Sequence, residues 1–272
     1  MALDIKKFGI RAASAVVFVA VFLGALLYHP VTFSIFFGIV ALGALYEYFK
    51  IAEKLGFQPL KLAGYLAAGL GYAFTVTAFN NMPYLWWLIA IVFSLGGAVF
   101  QNHPQALMNG VMTAVGLLYA VMPFSMVHEL VYLSGTFAPK LLFGIVLLIW
   151  SNDTFAYLGG SFFGKHKMIP RVSPGKTWEG TLIGVLLTYG VGIVLNQWLF
   201  DGNGGVKWYI TVALTPFLAT IGDLVESLFK RSAGIKDSGA IMPGHGGFLD
   251  RFDSLIFAAP ALVVVYKLMN LY

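Results

Sequence analysis

Apolar runs recur along the whole chain, each close to the roughly 20 residues that a helix needs to cross the hydrocarbon core of a bilayer. They read as spans at about 10–27, 31–49, 62–79, 84–100, 106–133, 141–160, 180–200, 208–229 and 254–271. A soluble bundle of buried helices is the alternative. So many consecutive apolar segments could not all be sheltered from water, and a chain that is 59% hydrophobic and only 11% charged has too little polar surface to coat a soluble domain. The expected fold class is all-α: a polytopic integral membrane protein with about nine transmembrane helices and a polar cavity facing the cytoplasm. The fifth run is long and contains Pro123, so it is expected to kink or end early.

Lys6 and Lys7 precede an apolar run, as in a signal peptide, but Tyr28-His29-Pro30 is a poor cleavage site and more spans follow. The first run is therefore expected to stay as a span. The absence of cysteine excludes disulfides and thiolate chemistry. Segments 161–179 and 230–253 are too polar to cross a membrane. With the N-terminus in the cytoplasm and nine crossings, Lys140, Lys207 and Lys267 fall on one side and the other fourteen of the 17 Lys and Arg residues on the opposite side. That asymmetry marks the richer side, with both polar segments, as cytoplasmic, and the expected location is the inner (plasma) membrane. The net charge of +5 sits in loops between spans. An anionic membrane surface or a phosphate-bearing substrate suits it better than nucleic acid. Residues 1–140, rich in small residues such as Ala63, Gly64 and Ala67, are expected to be a transmembrane scaffold. Residues 141–272 are expected to be the catalytic region, with cytoplasmic loops 161–179 and 230–253.

An acid inside a span is costly and so marks a functional site. Asp153, Asp223 and Glu226 stand out in this way. Asp153 and Asp223 each lie about seven residues from the cytoplasmic end of their span, roughly 10 Å deep at 1.5 Å per residue, so both are expected to line one cavity. The bland alternative is a structural ion pair with a nearby lysine. Asp223, Glu226, Ser227 and Lys230 recur at three- and four-residue steps and share a helical face. That face offers two carboxylates for Mg²⁺, a hydroxyl, and an amine for phosphate. Snorkelling would explain Lys230 alone, not the acids above it.

The loop that follows contains Lys236, Asp237 and then Gly244-His245-Gly246-Gly247, whose glycines let backbone N–H groups approach a phosphate. Asp250, Arg251 and Asp253 open the last span, where a helix N-terminus favours negative charge. A simple capping turn would need neither His245 nor so many charges. In the other loop, Lys165, Ser173, Lys176, Thr177 and Glu179 suit a triphosphate or a lipid headgroup, against the alternative that the loop only sets topology. Gly175-Lys176-Thr177 lacks the full spacing of a soluble phosphate loop, since Pro170 stands where the first glycine would be.

Taken together, residues 227–231, 236–239 and 243–253 resemble the signature of bacterial phosphatidate cytidylyltransferases, the CDP-diacylglycerol synthases. Asp153 through Tyr157, Gly164-Lys165 and Ser173 through Gly180 are similar to the same family, so the likeness is close over roughly 145–260 and elsewhere rests on apolar spans. The resemblance implies that CTP and phosphatidic acid give CDP-diacylglycerol and pyrophosphate at the bilayer. It implies Mg²⁺, with Asp223 and Asp250 as leading ligands and Glu226, Asp237, Asp253 and Asp153 as further acids. It also brings a potassium ion beside the divalent metal, and homodimers. Lys176, Lys230, Arg231 and Lys236 are expected to hold the lipid phosphate and the departing pyrophosphate. His245 is expected to hydrogen-bond a phosphate or shape the loop, because phosphatidate is already deprotonated at neutral pH. Two rival readings are another CTP-using lipid enzyme, such as a polyprenol kinase or a CDP-archaeol-type synthase, and an ion or anion transporter. Transport predicts polar residues at both faces, whereas here they gather at one.

Overall fold

The structure, a computed structural model, describes residues 5–77, 83–241 and 246–270. Helices α1 (Ile5–Leu27), α2 (Pro30–Lys54), α3 (Lys61–Thr77), α4 (Pro83–Ala98), α5 (Ala106–Ala120) and α6 (Met122–Val131) come first. Helix α7 (Lys140–Phe163), strands β1 (Lys167–Ile169) and β2 (Ser173–Thr177), and helices α8 (Trp178–Phe200), α9 (Gly205–Ser232) and α10 (Leu249–Asn270) follow. Each apolar run is helical over most of its described length. Among the described residues, six stretches are long and apolar enough to cross a membrane: Pro30–Lys54, Ala106–Val131, Lys140–Phe163, Trp178–Phe200, Gly205–Ser232 and Leu249–Met269. Ala13–Leu27 and Trp86–Ala98 are apolar but shorter. The fifth run breaks between α5 and α6, next to Pro123, whose missing N–H is harmless in the first turn of α6.

Segment 161–179 is not plain loop. β1 and β2 pair antiparallel, Lys167 opposite Thr177 and Ile169 opposite Ser173, so the all-helical expectation needs this one small hairpin added. Strands this short carry no readable alternation.

The chain forms two compact units. One comprises residues up to His128 together with Phe229–Phe252. Its core runs along α2, where Phe33, Phe37, Ala44, Leu45 and Tyr48 are buried. The Phe252 ring lies 5.7 to 6.4 Å from those of Phe18, Phe22, Phe36, Phe37 and Phe124, which anchors the start of α10. Asn109 and Thr113 of α5 accept from the backbone N–H of Gln58 and Leu60 at 2.7 and 2.8 Å. These bonds satisfy the turn between α2 and α3, as buried backbone requires.

The second unit comprises Glu129–Leu228 and the chain from Asp253 onward. Here α7 and α8 pack along small residues. A Cβ on Gly180 would meet the Ala156 carbonyl and the Gly160 backbone at 2.6 and 2.8 Å, a distance only glycine permits. Trp208 is buried against Leu148, Leu195, Leu199 and Val212 and donates its indole N–H to the Gly192 carbonyl at 2.9 Å.

Candidate active site

The second unit holds a cavity of about 530 Å³. α7 supplies Asn152, Asp153, Tyr157 and Ser161, the hairpin supplies Lys167, Ser173, Lys176 and Thr177, and α9 supplies Thr220 and Asp223. The close α7–α8 contact carries the hairpin to this place. Thr177 caps α8 by accepting from Gly180 N–H at 3.2 Å, in an extended conformation. Glu179, in the first turn, folds back onto the N–H groups of Lys165 and His166 and the His166 ring, at 3.1, 3.1 and 2.5 Å. The hairpin is therefore fastened at its base, and Lys176 reaches from β2 to the Asp223 carboxylate at 2.5 Å and towards the Thr220 carbonyl at 3.4 Å.

Asp223 is one of three clustered acids. Single carboxylate oxygens of Asp223, Glu226 and Asp253 all lie within 4.8 Å of one another. Asp223 and Glu226 share a face of α9 because they are three residues apart. Asp253 joins them because α9 and α10 touch backbone to backbone at this level. A Cβ on Gly222 would collide with the Asp253 carbonyl, and Ser254 donates to the Ala219 carbonyl at 3.3 Å. Ser227 donates to Asp223 at 3.3 Å. Like charges this close repel, which favours a cation among them, and hard oxygen donors in this number suit Mg²⁺.

In the first unit, Asp250 organises the signature loop. Its Oδ1 accepts from Lys230 Nζ at 2.6 Å. Its Oδ2 accepts from Ser238 N–H, Ser238 hydroxyl and Gly247 N–H at 2.8, 2.9 and 2.8 Å. Gly246 adopts φ +81°, and a Cβ there would collide with the Asp250 carboxylate. Arg231 turns to the Ile235 carbonyl at 3.1 Å, and Lys236, Asp237 and Arg251 are exposed. His245 lies outside the described residues.

Of the six expected metal-binding acids, Asp223, Glu226 and Asp253 are thus together. Asp153 is exposed on the wall of the cavity that Asp223 also lines, Asp237 is an exposed loop residue, and Asp250 is bound to Lys230 and the loop. Sequence reasoning passed over Glu47. It is 4% exposed on α2 and accepts from Ser238 hydroxyl and from Phe248 and Leu249 N–H, at 2.7, 2.9 and 2.9 Å. The signal was present: Glu47 is an acid near the end of an apolar run, the same feature that singled out Asp153. Asn152 and Thr220 were likewise not foreseen on the cavity wall.

A family profile described as the cytidylyltransferase family matches residues 9–269. A Haemophilus influenzae protein named phosphatidate cytidylyltransferase is 31% identical over 94% of this chain and 97% of its own length. One of the same name from Staphylococcus aureus is 33% identical over 94% of this chain and 98% of its own. A third, from Staphylococcus epidermidis, is 46% identical over 120 residues, covering 44% of this chain and 46% of its own.

Proposed function

We propose, since this chain belongs to the cytidylyltransferase family, that it transfers CMP from CTP to phosphatidic acid in the membrane, giving CDP-diacylglycerol and pyrophosphate. The observation that carries the site assignment is the carboxylate group of Asp223, Glu226 and Asp253, with Lys176 on Asp223 at the wall of the cavity. A phosphate oxygen of the lipid attacks the α-phosphorus of CTP. The new O–P bond forms as the bond to the β-phosphate oxygen breaks, and pyrophosphate leaves with that electron pair. Both reactants are anions, so the site's work is to bring them together and offset charge. Lys176 is suited to swing from Asp223 to a phosphate, and Lys167 and Ser173 add a second cation and a hydroxyl to the same wall. No strong base is required, because the attacking phosphate is already ionised.

Asp223, Glu226 and Asp253 fit a Mg²⁺ ion; Asp250, which the family resemblance also offers as a ligand, belongs to the other unit and is held by Lys230, Ser238 and Gly247. When bound, the ion supplies charge neutralisation on the nucleotide phosphates. A potassium ion and a homodimer complete this reading. The catalytic groups are assigned to 141–272 and the scaffold to 1–140. The test is purified protein with labelled CTP, phosphatidate and Mg²⁺. Label should pass to a lipid only when all three are present, and polyprenol or an archaeal-type lipid in place of phosphatidate should give no product. Label appearing on polyprenol instead would replace this reading.

The chain is placed in the inner membrane with nine crossings, the cavity and both polar loops facing the cytoplasm, following the Lys/Arg asymmetry. With no native cysteine, single replacements report topology cleanly. Pro170→Cys and Ala240→Cys should resist an impermeant thiol reagent on intact cells and react once the membrane is opened. Labelling of either from outside would reverse the orientation.

A further inference from the structure

We propose that Glu47 is a positioning residue for the transfer reaction, a carboxylate on α2 that holds both ends of the signature loop and so fixes Asp250 and Lys230. This rests on the functional reading above. Glu47 stands some 190 to 200 positions from its partners in sequence, yet its two oxygens take three donors from that loop. Oε1 accepts from Phe248 N–H, and Oε2 accepts from Leu249 N–H and from the Ser238 hydroxyl. Leu249 opens α10 and Phe248 directly precedes it, so Glu47 caps that helix from another one and sits at its positive end.

The loop is shaped to receive it. A Cβ on either Gly239 or Gly247 would run into the Glu47 carboxylate. One helical turn before Glu47, Gly43 leaves room for the Phe248 ring, which a Cβ would also strike. A buried carboxylate on an apolar helix is costly unless fully hydrogen-bonded, and here the loop backbone does the bonding. The link to the reaction runs through Ser238, whose hydroxyl lies 2.7 Å from Glu47 and 2.9 Å from Asp250, and through Gly247 N–H, which bonds Asp250 next to the two amides held by Glu47. Loosening Glu47 therefore frees both sides of the Asp250 carboxylate's cradle, and misplacement of about 1 Å in such a site costs up to about 100-fold in rate.

The substitution Glu47→Gln keeps volume but breaks the clamp, because the new side-chain amide would set its N–H₂ group against at least one backbone N–H. Glu47→Asp keeps the charge on a shorter arm. Glu53→Gln, whose parent pairs with Lys61 on the exposed surface, serves as the control. Purified variants would be compared for kcat, for KM of CTP and phosphatidate, and for melting midpoint. Glu47→Gln should lower kcat per folded molecule by roughly 10–100-fold with KM for phosphatidate little changed. Glu47→Asp should recover part of that loss, and Glu53→Gln should match the unmodified enzyme. Activity that falls only in step with the folded fraction, or a Glu47→Gln enzyme with normal kcat, overturns the inference alone. An unmodified chain that makes no CDP-lipid overturns the functional reading as well.

Discussion

Asp223→Asn is expected to cut formation of CDP-lipid by about two to three orders of magnitude, since charge clamping supplies most of the catalysis in phosphoryl-type transfer. The substitution preserves size and removes the charge that Lys176 meets at 2.5 Å and that Glu226 and Asp253 share within 4.8 Å. The protein should still fold, because a neutral amide in a membrane helix is cheaper than a carboxylate. Asp250→Asn is expected to be comparably severe on the strength of the signature. Asp201→Asn is the control. Asp201 is exposed at the end of α8 with φ 51°, a left-handed conformation that Asn adopts as readily as Asp, so its activity should stay within about twofold of the unmodified level. Turnover of labelled CTP at saturating Mg²⁺ decides the matter. An Asp223→Asn enzyme that kept most of its Mg²⁺-dependent activity would remove Asp223 from the proposed metal site.

Lys230→Met should damage stability and activity together. The Lys230–Asp250 pair is 2.6 Å long, with side chains only 11% and 7% exposed. Removing one member of such a pair strands a buried charge, at a cost of about 3–5 kcal/mol. The stranded carboxylate is also the acceptor for Ser238 and Gly247, so the loop should loosen with it. The double variant Lys230→Met with Asp250→Asn removes the stranded charge. It should regain much of the melting midpoint while remaining inactive, a separation that a single substitution cannot provide. Equal melting of Lys230→Met and the unmodified enzyme would show that the pair contributes nothing to the fold.

The helices were legible because a bilayer imposes a length and an apolar composition that survive any arrangement of neighbours. The break beside Pro123 followed from local chemistry alone, as did the shared face of Asp223, Glu226 and Ser227, since helical spacing is a property of one element. The hairpin 167–177 escaped because three- and five-residue strands hold too few positions to show a period. Glu47 escaped for a different reason. An isolated acid on an apolar helix has meaning only through the partner that satisfies it, and that partner lies across most of the chain.

Asp250 and Asp253 show the division most sharply. Both are acids in the first turns of α10, and by residue type and spacing either is equally suited to a metal. The sequence alone determined that acids would gather at this helix start and that α9 would present two more. Only tertiary packing separated their surroundings. The bare backbone at Gly222 lets α10 press against α9 and puts Asp253 beside Asp223 and Glu226, while Lys230, Ser238 and Gly247 enclose Asp250. Which carboxylate meets which partner depends on close approach between segments remote in the chain, and no periodicity within one segment encodes that approach.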